Sequence, residues 1–167
     1  TDELPFILAV AVLIAVSALG VFDHEDFVLD ADIVVKTDAR VQEGRLGEAF
    51  TTDWFNQDDA LLSRRLYRPV TMAFFVIQGF LGDEQRTSVF NTFSVLLHVL
   101  VGVARYLLIL LLLHEFAARR MVAVAVAILA GWHGASMASV VGIAGQAELL
   151  ASLFSTIKSG APNATST

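Results

Sequence analysis

Four groups of side chains in this chain have types and positions suited to chemistry. The first is Asp23-His24-Glu25-Asp26, an acidic run directly after an apolar stretch. Such a cluster at a membrane lip could bind a divalent metal or act as a general base. It also reads as a solvated charge run marking a helix end. His98 and Arg105 are seven residues apart inside an apolar run, on one helical face. A charge at that depth is costly unless it snorkels or faces protein or water. Arg105 is therefore expected to contact a partner helix, a lipid headgroup, or the carbonyl of a pigment or substrate. His98 fits an interhelical hydrogen bonder, a catalytic group, or a ligand to haem or chlorophyll. His133 stands beside Trp132, an ordinary interface anchor. Glu148 is the one carboxylate in the last apolar stretch, and ionisable groups there are functional candidates.

The elements that must hold these residues are apolar. The 167-residue chain is 56% hydrophobic, with mean hydropathy +0.66. That is too apolar for an ordinary soluble domain. Phe90–Leu113 runs 24 residues with Arg105 as its one formal charge. About 20 such residues cross the hydrocarbon layer as a helix. Leu4–Phe22 adds 19 apolar or small residues. A signal peptide is the rival reading there, but Thr1-Asp2-Glu3 lacks a basic n-region. Met121–His133 is the third span, its end blurred by Gly131 and Gly134. Ser136–Ala144 is expected to fold back as a short helix at the outer surface. Ala147–Ile157 is a partial fourth helix, stopped from Lys158 onward. The sequence thus predicts an all-α integral membrane protein with three to four transmembrane helices in one membrane domain, residues 1–157.

Between the first two spans lies Asp23–Ser88, 66 residues with 13 acidic and 7 basic side chains. Its one apolar patch, Val70–Leu81, is too short to span and suits a short interfacial or core helix. Pro69 fits its first turn and Gly82 its end. The short basic loop around Arg119-Arg120 is the kind found on the cytoplasmic side. The N-terminus and Arg119-Arg120 are therefore expected inside, and the structured acidic loop 23–88 outside. Asp2 and Glu3 disagree with that orientation, although acids weigh little in it. Residues 158–167 read as a disordered small-polar tail, in which Asn163-Ala164-Thr165 fits a glycosylation sequon.

The chain has no cysteine, so thiolate metal sites and thiol nucleophiles are excluded. Its net charge of −6 and lack of a basic stretch argue against nucleic acid as a partner. There is no phosphate-binding glycine loop and no HExxH motif. The composition implies membrane lipid and other transmembrane subunits as partners, with a bound lipid or pigment as a candidate ligand. Gly102, Ala104 and the many Ala and Gly between Ala123 and Ala151 would allow close helix approach.

Taken in order, four landmarks give the chain a family likeness. They are Phe22-Asp23-His24-Glu25-Asp26-Phe27-Val28-Leu29-Asp30, Tyr67-Arg68-Pro69-Val70-Thr71, Phe90 through Leu96-Leu97-His98, and Trp132-His133-Gly134 through Gly145-Gln146-Ala147-Glu148-Leu149-Leu150-Ala151. The series resembles the N-terminal membrane region of the GT-C glycosyltransferases, nearest to the O-mannosyltransferase-like proteins that carry tetratricopeptide repeats. The likeness covers about Leu4 to Phe154.

The resemblance implies helices threading a bacterial inner membrane, with a structured periplasmic loop after the first. It implies Asp23 as catalytic base, with Asp26 or Glu148 assisting a divalent metal or substrate. Arg68, His98, Arg105 and His133 would then line the substrate site. The donor would be a lipid-phosphate sugar and the acceptor a protein hydroxyl. The pattern departs from the family where acid–base groups and a cation are expected. Gly134, Ser136 and Ala138 replace a Pro, a His and a Glu, and Gln146 replaces an Arg. These losses favour a non-catalytic accessory or structural subunit of a larger membrane complex, for which a photosynthetic or respiratory host is one candidate. The other reading is a fragment of an active membrane glycosyltransferase.

Overall fold

The computed structural model describes residues 2–23, 35–52, 67–82 and 87–160. It is all-helical, with no strand among the described residues. Helix α1 (Leu4–Ser17) has Pro5 in its first turn and continues into a 3₁₀ turn, Leu19–Asp23. Helix α2 (Ala39–Gln42) and a 3₁₀ turn (Leu46–Phe50) lie in the acidic loop. Then follow α3 (Pro69–Leu81), α4 (Thr87–Leu112), α5 (Arg119–Trp132), α6 (Gly134–Val141) and α7 (Gln146–Gly160).

Two stretches are long and apolar enough to cross a membrane: Leu4–Asp23 and Thr87–Leu112. The pair α5–α6, bent by 56° at its break, makes a third if taken as one span. Helix α4 begins three residues before the expected Phe90. Helix α7 runs on through Lys158 to Gly160, so the first three residues of the expected disordered tail are helical. No strong breaker stands before Gly160, and Ser155, Thr156 and Ser159 do not stop the helix. Thr156 and Ser159 instead return their hydroxyls to carbonyls one turn back, at 2.8 and 2.9 Å. The sequon at Asn163 lies outside the described residues.

Helix α4 is the axis, and α1, α5 and α7 pack along it. Contacts at each end fix directions. Asn91 donates to the Val21 carbonyl at 3.1 Å, while Tyr106 donates to Glu3 Oε2 at 2.9 Å. Helix α1 therefore runs antiparallel to α4. Helix α7 runs parallel to it, from Gln146 beside Phe90 to Gly160 beside Leu108. The α1–α4–α5 core is Val10, Ile14, Tyr106, Ala123 and Ala127. Without a water-driven hydrophobic term between helices in lipid, such contacts depend on close packing. Ile14 meets this need by sitting against Gly102 and Gly131. A Cβ built on Gly102 would lie 2.1 Å from Ile14 Cδ1, and one on Gly131 would lie 3.2 Å from it.

Glu3 links the starts of α1 and α5. Its Oε1 accepts from Arg120 Nε at 2.9 Å and Nη2 at 2.7 Å. The Arg120 guanidinium also lies over the Phe6 ring, 5.6 Å from its centroid. Glu3, one of the two acids that disagreed with the orientation, thus meets the basic loop directly, and both lie at one end of the bundle. The bond from Arg120, then that from Tyr106, holds the Glu3 carboxyl below the usual range. A depressed carboxylate stabilises the fold above its unfolded pKa, and the gain fades as pH falls through the folded value. The melting temperature in detergent should therefore fall below about pH 4.3 more steeply for the wild type than for Glu3→Gln. Parallel curves would exclude a stabilising Glu3.

Residues 35–52 of the acidic loop pack on α3. Asp38 caps α2 by accepting from Arg40 N at 2.8 Å. Gly44, at φ +69°, lets the Arg45 N–H reach back to the Arg40 carbonyl at 2.8 Å, closing the helix with a Schellman turn. Arg40 is fully buried and forks onto Asp38, with Nη2 to Oδ2 at 2.6 Å and Nε to Oδ1 at 3.0 Å. Its Nη1 reaches Thr52 Oγ1 at 2.6 Å. Val35, Val41 and Ala49 join Met72, Phe75, Val76, Phe90 and Ile143 in one apolar core. Helix α3 is thus a core helix on one face. Its other face leaves Val70, Ile77, Phe80 and Leu81 exposed, the pattern of a helix lying at an interface.

Candidate functional site

Two concavities collect most of the residues singled out in the sequence. The first is a groove of about 420 Å³ between the start of α3 and the first turns of α7. Arg68, Pro69, Val70, Glu148, Leu150 and Phe154 are among its walls. Arg68 precedes α3 because Pro69 fixes the helix start and disfavours a helical residue before it. Glu148 lies in the first turn of α7, where a carboxylate faces the positive end of the helix dipole. Its Oε2 accepts from Ser139 Oγ at 2.6 Å. A cation and a carboxylate thus share one largely apolar groove.

The second concavity, about 470 Å³, lies in the bend between α5 and α6. Arg105, Val126, Leu129, Ala130, His133 and Ser136 line it. His133 breaks the helix by turning extended, at φ −59° and ψ 136°. The break leaves the last α5 carbonyls without intrahelical donors. The Ala130 carbonyl takes two substitutes: Ser136 Oγ at 2.9 Å and Arg105 Nη1 at 3.4 Å. Arg105 Nη2 also reaches Ser152 Oγ at 3.1 Å. Placing a cation at the C-terminal end of α5 is favourable for the helix dipole. His133 Nδ1 accepts from Ala135 N at 3.3 Å, so the neutral ring carries its proton on Nε2.

No known protein family, curated protein or solved structure matches the chain.

The remaining candidates stand apart from both concavities. Asp23 is exposed at the end of the first span, and lines neither. Asp26, like His24 and Glu25, lies outside the described residues. His98 is buried, yet neither ring nitrogen has a hydrogen-bond partner. The Gly131 backbone comes close to its ring without hydrogen-bond geometry. Across the helix contact the ring thus faces the Gly131 backbone, where apolar Ile14 also packs. Among the described residues, no three His, Asp or Glu side chains converge as a metal site would require.

Sequence reasoning missed the main polar link of the bundle. Gln78 and Gln146 are both fully buried. Gln78 Nε2 donates to Gln146 Oε1 at 2.7 Å, and Gln146 Nε2 returns to Gln78 Oε1 at 3.2 Å. Gln146 also reaches the Phe90 carbonyl and Ser94 Oγ, each at 3.0 Å. This network joins α3, α4 and α7, so the residue standing where the family likeness expects an Arg serves as a structural tie. Gln78 carried a readable signal: an amide inside the apolar patch Val70–Leu81 needs a partner when buried.

Proposed function

We propose that this chain is a membrane-embedded, non-catalytic accessory subunit of a larger membrane protein assembly, built on a frame of the GT-C kind. One observation carries the reading. Four polar links at helix contacts bond to the frame itself, with His98 the exception: Gln146 to Gln78, Arg105 to Ala130 and Ser152, Glu148 to Ser139, and Arg120 to Glu3. A catalytic centre requires reacting groups aimed together at a substrate. The many exposed apolar residues on α1, α4 and α5, among them Leu8, Leu111 and Leu129, suit lipid and neighbouring helices. A photosynthetic or respiratory complex is one candidate host, with the acidic loop on the periplasmic side of an inner membrane.

A second reading rests on the groove that Arg68 shares with Glu148. A fragment of an active glycosyltransferase would use such a pair on a lipid-phosphate sugar, with Asp23 as base. The purified chain, given polyprenyl-phosphosugar donors and a hydroxyl-bearing peptide, is expected to show no sugar transfer. Mild detergent extraction should instead bring down other subunits in fixed ratio. Turnover that disappears in Asp23→Asn would replace the accessory reading with the enzymatic one.

A further inference from the structure

We propose that the concavity at the α5–α6 bend receives a transmembrane helix of a different subunit, carrying an Asp or Glu that pairs with Arg105. This deepens the accessory reading and rests on it. The α4 cation has only neutral acceptors, the Ala130 carbonyl and the Ser152 hydroxyl, and no carboxylate lies in ion-pair range among the described residues. An intramembrane charge is rare and pairs with another charge or with backbone carbonyls; Arg105 has one long carbonyl contact of the second kind and, among the described residues, none of the first. The 470 Å³ of space beside it is walled by Val126 and Leu129, both exposed on α5. At the rim stand His133 and Ser136.

Depth selects the source of the anion. Arg105 lies seven residues before the end of α4 at Leu112, about 10 Å along the axis. Its side chain leans toward the helix start and reaches Ala130, far along α5 from the Arg120 end. The guanidinium therefore sits well inside the apolar layer, below the level of lipid phosphates. A carboxylate on a neighbouring helix reaches this level. Among the described residues a second copy offers none there: Glu3 is held by Tyr106 and Arg120 at the Arg120 end, Glu115 lies in the turn after α4, and Glu148 at the start of α7.

The test places a photoreactive benzoylphenylalanine at Leu129 of the full chain in its native membrane, with the same group at Leu8 on α1 as control. Mass spectrometry of the 129 product should identify an apolar segment of another subunit with Asp or Glu within one helical turn of the link. Arg105→Leu should lower that yield about tenfold, and Arg105→Lys should retain most of it. Because Arg105 also ties α5 to α7, Val126→Phe is the second variant; it fills the concavity, leaves those bonds in place, and should lower the yield equally. Reversing both charges, Arg105→Glu with the partner acid changed to Arg, should restore it. Links only to lipid, to a second copy or to a helix without a carboxylate would overturn the proposal, as would a yield indifferent to Arg105→Leu. If subunits co-purify in fixed ratio but link only through other faces, this proposal fails and the accessory reading stands. If none co-purifies, both fall.

Discussion

Asp38→Ala is expected to destabilise the packing of residues 35–52 on α3 by about 3–5 kcal/mol, the cost of breaking a buried ion pair by removing one partner. Arg40 and the Asp38 side chain are 0% and 1% exposed, so water cannot replace the lost carboxylate. Three of the guanidinium's bonds end on Asp38, and Asp38→Ala removes all three. Asp38→Asn separates two roles, since asparagine still caps α2 but carries no charge. It should recover the cap, worth about 1 kcal/mol, and leave the rest of the loss. Asp38→Ala combined with Arg40→Leu should be less harmful than Asp38→Ala alone, because the buried cation goes together with its carboxylate. Hydrogen exchange across residues 35–52 and α3 reads these effects locally. Protection unchanged in Asp38→Ala would mean that the guanidinium reaches water and that the loop is not packed on α3.

That pair also marks the limit of what the sequence revealed. Long apolar runs announce themselves, because length and hydropathy alone match a helix to a bilayer. Leu4–Asp23 and Thr87–Leu112 are legible for that reason. The break at His133 is nearly so, because Gly131 and Gly134 flank it. Asp38-Ala39-Arg40, by contrast, looks like solvated charge in an acidic loop. Only the apolar contacts of Val35, Val41 and Ala49 with α3 bury it, and those contacts join residues 20 to 40 positions apart. The Gln78–Gln146 pair spans 68 positions, so the amide at Gln78 signals that a partner is needed without saying which residue it is.

The candidate site was legible in type and not in grouping. The sequence marked Arg68, Glu148, Arg105 and His133 without saying that the first two share one groove and the last two another. Grouping depends on α7 running parallel to α4, and that direction is set by the turn after α6. There the backbone of Gly145 passes so close to Ser139 that a Cβ would lie 2.5 Å from the Ser139 carbonyl oxygen. Small residues at such a turn look in sequence like any other helix-breaking stretch.

His98→Leu should raise stability by about 1–3 kcal/mol, the cost of burying polar atoms that lack partners. The sign is the informative part, since most core substitutions destabilise. His98 is 1% exposed, both nitrogens are unpaired, and no bulk water enters the apolar layer to satisfy them. Leucine has a similar volume and no polar atoms, so the site should accept it with little repacking. Gly102→Ala is the matching control. Its Cβ would drive Ile14, already held against Gly131, toward the imidazole, and overpacking of this kind costs about 1–3 kcal/mol. Thermal unfolding in one detergent compares the three proteins. A gain in His98→Leu with subunit association intact would identify the histidine as an unused polar group in the packing. A gain accompanied by loss of a co-purifying pigment or subunit would show stability given up for function. A clear loss of stability would mean that the imidazole is hydrogen-bonded after all, and the α1–α4–α5 interface would then have to be looser around Ile14 than the contacts at Gly102 and Gly131 place it.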